Sequence, residues 1–135
     1  MDCVFCKIIA GQIPCDKVYE NDEVIAFLDI APISRGHALV APKRHFQDLA
    51  VTPAETVSAM MRALQLIAPA VLRVTHAPAF NVGINNGAAA GQVVPHTHFH
   101  LIPRTDGDGL KSWPHQRYNP GEGAALAKDI AAAVS

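Results

Sequence analysis

The chain predicts a single domain of mixed helix and strand on three observations. Five short runs carry strand-like alternation or strand-forming residues. One long apolar-periodic run between the third and fourth of them reads as a helix. The ends of the chain carry shorter helical patterns. The size agrees: 135 residues suit one domain with a core of its own. Half the residues are apolar, 17% are charged and the net charge is −1, an ordinary globular balance. No basic excess suggests a nucleic-acid partner, and no unbroken apolar run approaches the roughly 20 residues a membrane span needs. The amino terminus lacks a charged segment followed by an apolar signal core, so the expected location is cytoplasmic. Three cysteines form an odd set, which argues against a disulfide framework.

Residues 3–10 predict a short helical turn stopped by Gly11. Within it Cys3 and Cys6 form a C-x-x-C pair, whose spacing suits two thiolates on one metal, a redox dithiol or simple packing. Lys17 to Glu20 reads as a strand, Asn21-Asp22 as a turn and Glu23 to Ile30 as a second strand. Alternation in the second puts Ile25, Phe27 and Asp29 on one face and Val24, Ala26 and Leu28 on the other. A carboxylate closing an apolar face needs a ligand, a hydrogen-bonding partner or a turn before Pro32, and each is open. His37 to Pro42 reads as a third strand, followed by Lys43-Arg44-His45.

The long helix should begin at Thr52-Pro53-Ala54-Glu55, with Thr52 as N-cap, Pro53 at the first helical position and Glu55 closing a capping box. Its stripe is Val57, Met60, Met61, Leu64, Ile67, Ala68, Val71 and Leu72, with both methionines in the core. Pro69 should kink or split it, and His76-Ala77-Pro78 should end it. Phe80 to Asn85 alternates as a fourth strand. Residues 86–92 form a small-residue loop whose backbone amides could approach an anion. Asp106 to Gly109 reads as a turn region, and 124–134 as an alanine-rich terminal helix.

The fifth strand carries the chemistry. His96-Thr97-His98-Phe99-His100-Leu101-Ile102 has period 2, which predicts three imidazoles on one face and Thr97, Phe99 and Leu101 on the other. A lone strand histidine is usually structural. Three in register each need a partner and would repel if protonated, which points to metal ligation or acid, base and nucleophile chemistry. A catalytic metal of the cupin-like kind would want a carboxylate shortly downstream, and none stands there. The alternatives are a structural zinc and a neutral His98 that attacks phosphorus, with neighbouring donors stabilising the phosphate oxygens.

This segment resembles the histidine triad of the HIT (histidine triad) superfamily, followed by the Pro103-Arg104 common in its bacterial, Hint-like members. The likeness extends to Phe5-Cys6-Lys7-Ile8-Ile9, Ala26-Phe27-Leu28-Asp29-Ile30, Pro42-Lys43-Arg44-His45 and Gly91-Gln92, and fades after Trp113. It therefore divides one HIT domain into a core of about 3–105 and a C-terminal extension, 106–135. The resemblance implies an α+β fold with a five-stranded antiparallel sheet and a homodimer whose sheet is continuous across the interface. It implies a nucleotidyl hydrolase or transferase acting at the α-phosphate of purine nucleotide conjugates, without an organic cofactor. His98 would be the nucleophile, His100 would bond the phosphate or leaving-group oxygen, and His96 would orient the site. Asn85 and Gln92 would contact phosphate oxygens, and Asp29 the ribose hydroxyls. Phe5, Ile8, Phe27 and Ile30 would line the base pocket. Some members bind structural zinc through residues matching Cys3, Cys6, His45 and His96. The sequence departs from the pattern at Val93, where several members carry Ser or Thr, so only a backbone N–H could serve phosphate there. Substrates implied are adenosine phosphoramidates or, in a second branch, dinucleoside polyphosphates. A nucleotide-binding or protein-interaction module with weak catalysis is the non-enzymatic alternative.

Overall fold

A computed structural model describes residues 2–134. It forms a five-stranded antiparallel sheet with one long helix on one face. The strands are β1 (Lys17–Glu20), β2 (Val24–Leu28), β3 (Ala38–Pro42), β4 (Ala79–Gly83) and β5 (Phe99–Arg104), in the order β1-β2-β3-β5-β4. The helices are α1 (Val4–Ile9), α2 (Ala54–Thr75) and α3 (Glu122–Ala133). Each of the five strands and three helices overlaps the segment the sequence pattern gave it, but the second and third strands are shorter, the fourth ends at Gly83 and not Asn85, and the fifth runs Phe99–Arg104 and not from His96.

Alternation divides the sheet between two cores. Val24 and Ala26 of β2, Ala38 and Val40 of β3, and Phe99 and Leu101 of β5 point to α2. The helix meets them with Ala59, Met60, Ala63, Leu64, Ile67, Ala68 and Val71. On the other face Ile25, Phe27, Leu39 and Ala41 pack with Cys3 and Phe5 from the amino-terminal segment. Helix α2 is long and apolar enough to cross a membrane by length and composition. In this fold its apolar stripe is the inner wall of the larger core.

Four expectations about these elements need correction. Pro69 does not split α2, which is one element from Ala54 to Thr75. Met61 is 41% exposed, so only Met60 of the pair belongs to the core. Pro53, not Thr52, occupies the N-cap, and no side chain caps the helix. The Thr52 side chain is instead turned to the preceding 3-10 turn at Leu49–Val51, where its hydroxyl donates to the Asp48 carbonyl at 2.6 Å. The capping box with Glu55 therefore does not form.

The fourth correction concerns the histidines. The ladder of β5 starts at Phe99, opposite Val40, so His96, Thr97 and His98 precede the strand. The reason lies in the partners. Beyond Val40 the Pro42 carbonyl accepts from the His96 side chain at 2.8 Å, and the Thr97 N–H goes to the Phe46 carbonyl at 2.7 Å. The His96 N–H turns back to the Val94 carbonyl at 2.8 Å, a tight turn around Pro95. These bonds hold the two histidines in irregular backbone at the head of the strand.

Candidate active site and metal cluster

His98 is 7% exposed, and its Nδ1 lies 2.7 Å from the His96 carbonyl oxygen. A carbonyl only accepts, so Nδ1 carries the proton and donates it. A neutral His98 then has its lone pair on Nε2, the form in which imidazole is a nucleophile. Burial, first among the causes, holds the His98 pKa below the ordinary histidine value and keeps the ring neutral. The Phe5 ring packs edge-on against it, with centroids 4.9 Å apart.

His100 is fixed by another chain of inference. It lies in β5, opposite Leu39 of β3 and Gly83 of β4. The Ile33 N–H donates to His37 Nδ1 at 3.1 Å, so a neutral His37 must carry its proton on Nε2. That Nε2–H lies 2.9 Å from His100 Nδ1 and donates to it. His100 in turn keeps its proton on Nε2, as a hydrogen-bond donor. Burial, with the neighbouring His98 and His37, lowers the His100 pKa to about 4. Its ring centroid is 4.9 Å from that of His98. The site thus pairs a lone pair on one ring with an N–H on the next.

His37 was not among the residues singled out from sequence. It is 2% exposed, and burial lowers its pKa while the Asp29 carboxylate, 3.7 Å from Nε2, partly opposes the shift. Its role depends on β3 pairing with β5, which alternation within one segment does not reveal. Gly36 helps to place it. At φ +90° a side chain is strained, and a Cβ there would sit 2.6 Å from the Thr75 methyl, so glycine lets this loop close on α2. Asp29, His37 and His100 offer ligand atoms within 4.8 Å of one another. The proton on His37 Nε2 goes to His100, which leaves no lone pair there for a metal, and the Asp29 carboxylate stands 3.7 Å off as a nearby charge.

Cys3, Cys6, His45 and His96 form the opposite case, with all four ligand atoms within 4.8 Å. The Sγ-to-Nδ1 separations are 3.5 Å (Cys3–His96), 3.5 Å (Cys6–His45) and 3.7 Å (Cys6–His96), and the two Nδ1 atoms are 3.2 Å apart. Tetrahedral zinc with ordinary bond lengths sets S···N edges of about 3.6 Å and N···N edges of about 3.4 Å. The residues therefore fit that ion. His96 also has the right tautomer: its Nε2–H donates to the Pro42 carbonyl at 2.8 Å, leaving the Nδ1 lone pair to face the cysteines. The Cys6 N–H points to Cys3 Sγ at 3.4 Å, which suits a thiolate.

The other expected site residues divide. Asn85 is half-buried at the end of the segment that follows β4. The Gln92 carboxamide is occupied: Oε1 accepts from the Gly87 N–H at 2.8 Å, and Nε2 donates to the Gln47 and Val94 carbonyls at 2.7 and 3.1 Å. Gln92 thus pins the 87–94 loop in this structure and does not aim at a phosphate. Phe5 and Phe27 are 5% and 4% exposed and stack edge-to-face, a floor beneath the site in place of an open wall. Ile8 packs half-buried against the same cluster, Asp29 is half-buried with Oδ1 accepting from the Ala31 N–H at 2.9 Å, and Ile30 is 95% exposed. Val93 is 91% exposed.

Known proteins are similar to this chain in sequence and fold. The HIT domain model matches residues 10–107. The adenosine 5'-monophosphoramidase hnt1 of Schizosaccharomyces pombe is 41% identical, over 99% of both chains. The adenylylsulfatase HINT3 of Arabidopsis thaliana is 50% identical over 81% of this chain, which spans 55% of that protein's length. The crystal structure of a HIT family protein from Bacillus anthracis superposes with a TM-score of 0.90 at 41% identity, covering 99% of this chain and 98% of that one. A zinc-bound histidine triad family protein from Mycobacterium smegmatis superposes with a TM-score of 0.78 at 43% identity, covering 98% of each chain. By the extent of the family match, and by identity with relatives across nearly its whole length, the chain belongs to the HIT domain family.

Proposed function

We propose that this protein is a hydrolase of purine nucleotide conjugates, working through a nucleotidyl-histidine intermediate. The observation that carries the reading is the pair of fixed tautomers. His98 offers an Nε2 lone pair, and His100 beside it offers an Nε2–H. His98 Nε2 attacks the α-phosphorus, forming a P–N bond as the bond to the leaving group breaks. His100 Nε2–H hydrogen-bonds the leaving nitrogen or oxygen, which departs with a proton from solvent water, and charge on the phosphate oxygens is met by N–H donors such as Asn85. Water then attacks the intermediate and loses a proton to solvent, and the P–N bond breaks to return His98 as neutral imidazole. The Asp29 carboxylate, at the end of β2 beside His37, would bond ribose hydroxyls.

The monophosphoramidase name of the fission yeast relative favours an adenosine phosphoramidate, whose leaving nitrogen can accept the hydrogen bond that His100 Nε2–H offers. The adenylylsulfatase name of the Arabidopsis relative makes adenylyl sulfate the second substrate to try. Zinc in the Cys3, Cys6, His45 and His96 cluster would be structural: four protein ligands leave no open position, and the ion would hold His96. A homodimer pairing through β4 would cover Phe80 and Val82, each 42% exposed on that edge strand. Assay with adenosine phosphoramidate, diadenosine polyphosphate and adenylyl sulfate, beside His98→Ala, tests the reading. Turnover of the phosphoramidate that vanishes in the variant supports it. Equal rates for the two proteins would overturn it.

A further inference from the structure

We infer that the Cys3–Cys6–His45–His96 cluster is a positioning device for the nucleophile: a metal held there fixes the tautomer and direction of His98. The inference rests on His98 being the reacting residue, as proposed above. Two connections join the cluster to that ring.

The first runs through backbone. His96 is 0% exposed and would ligate through Nδ1 while its own carbonyl oxygen accepts the His98 Nδ1–H at 2.7 Å. One residue is thus a ligand by its side chain and the tautomer-setting acceptor by its main chain. His96 and His98 sit in irregular backbone ahead of β5, where no ladder bonds hold the carbonyl in direction. Two contacts orient it: the Thr97 N–H of the same planar peptide donates at 2.7 Å to the carbonyl of Phe46, the residue after His45, and the His96 ring is held between the Pro42 carbonyl and the cysteine–histidine cluster.

The second runs through Phe5. The two cysteines flank it in a helix of six residues, too short to persist without tertiary support. Its ring packs edge-on against both imidazoles, with centroids 5.7 Å from His96 and 4.9 Å from His98. A metal bound by Cys3 and Cys6 clamps the segment that seats the nucleophile's ring. His100 has no such dependence, since its tautomer comes from Ile33 through His37. The two catalytic histidines should therefore answer differently to metal.

Protein labelled with nitrogen-15 at histidine, loaded with zinc and checked by elemental analysis, provides the test. Long-range proton–nitrogen correlation reads the tautomer of each ring. In the loaded protein His98 should report a single Nδ1–H form and His100 a single Nε2–H form. After chelation His98 should become a tautomer mixture while His100 stays as it was, with kcat reduced several-fold and KM little changed. A His98 signal unmoved by verified metal loss overturns the inference, and so does a change in which both rings move together, the mark of general loosening. Should the stripped chain unfold, His45→Ala replaces it: His45 is half-buried on a loop, and the same two rings are read after chelation. Failure of the hydrolase reading is separable. A metal-sensitive His98 tautomer with no turnover of any nucleotide conjugate sinks that reading alone, and turnover with a metal-insensitive tautomer sinks this one alone.

Discussion

The two ends of the histidine segment are held by different means. At the His100 end regular structure does the work: β5 pairs on both sides, and His37 reaches across from the start of β3. At the His96 end there is no ladder. A buried ring, one carbonyl and a cluster of cysteine and histidine replace it. His98 stands at the junction, its tautomer set from the irregular side. A sheet positions a side chain to within its pleat at little extra cost, whereas irregular backbone needs side-chain or metal bonds to hold its polar groups.

Substitutions that break one end and spare the other separate these roles. The largest effect belongs to the junction. His98→Ala should lower turnover by about three orders of magnitude or more, since a nucleophile has no substitute in the site; single-turnover kinetics measure it. Next comes His37→Phe, which removes the donor that fixes His100. We expect kcat to fall about 10²-fold with zinc content unchanged, read by steady-state kinetics beside elemental analysis. Breaking the other end should act on stability first. Chelation should lower Tm by about 10 °C, the consequence of losing a ligand that had been present near a hundredfold above its dissociation constant; scanning calorimetry with and without chelator checks this.

Acid acts on both ends with a defined sign. His37, His96, His98 and His100 all have pKa values lowered by burial, His100 to about 4. For such groups the unfolded chain takes up protons before the native one does. Stability is therefore full above the unfolded histidine value and declines as pH falls below it. Activity should hold level through that same value and fail at lower pH, when His98 Nε2 gains a proton. A pH–rate profile centred at an ordinary histidine pKa would argue against the buried, neutral pair. The smallest effect is expected at Thr97, 1% exposed, whose Oγ1 finds no hydrogen-bond partner among the described residues. Thr97→Val keeps its shape and should raise stability by about 1 kcal/mol in urea titration.

The same contrast governs what was legible in the sequence. Lys17–Glu20 and the faces of β2 could be read because alternation is local and the core enforces it. The apolar stripe of α2 was equally clear, except at Met61, where hydrophobicity and burial part company. The start of α2 misled because Thr52 had another acceptor nearby, the Asp48 carbonyl. The histidine run alternates as a strand should, yet its first three residues exchange ladder bonds for contacts with Pro42 and Phe46. His37 and the loop-pinning bonds of Gln92 depend on segments that meet only in the folded chain. The C-x-x-C pair was ambiguous alone, and His45 and His96 at tetrahedral spacing make it a metal-binding set in geometry.

One observation reaches the central claim directly. Protein quenched during turnover of an adenosine phosphoramidate, then digested and examined by mass spectrometry, should carry an adenylyl group on His98, absent from His98→Ala. Turnover with the adduct on another residue, or with no adduct under conditions where hydrolysis of the intermediate limits the rate, would contradict the account.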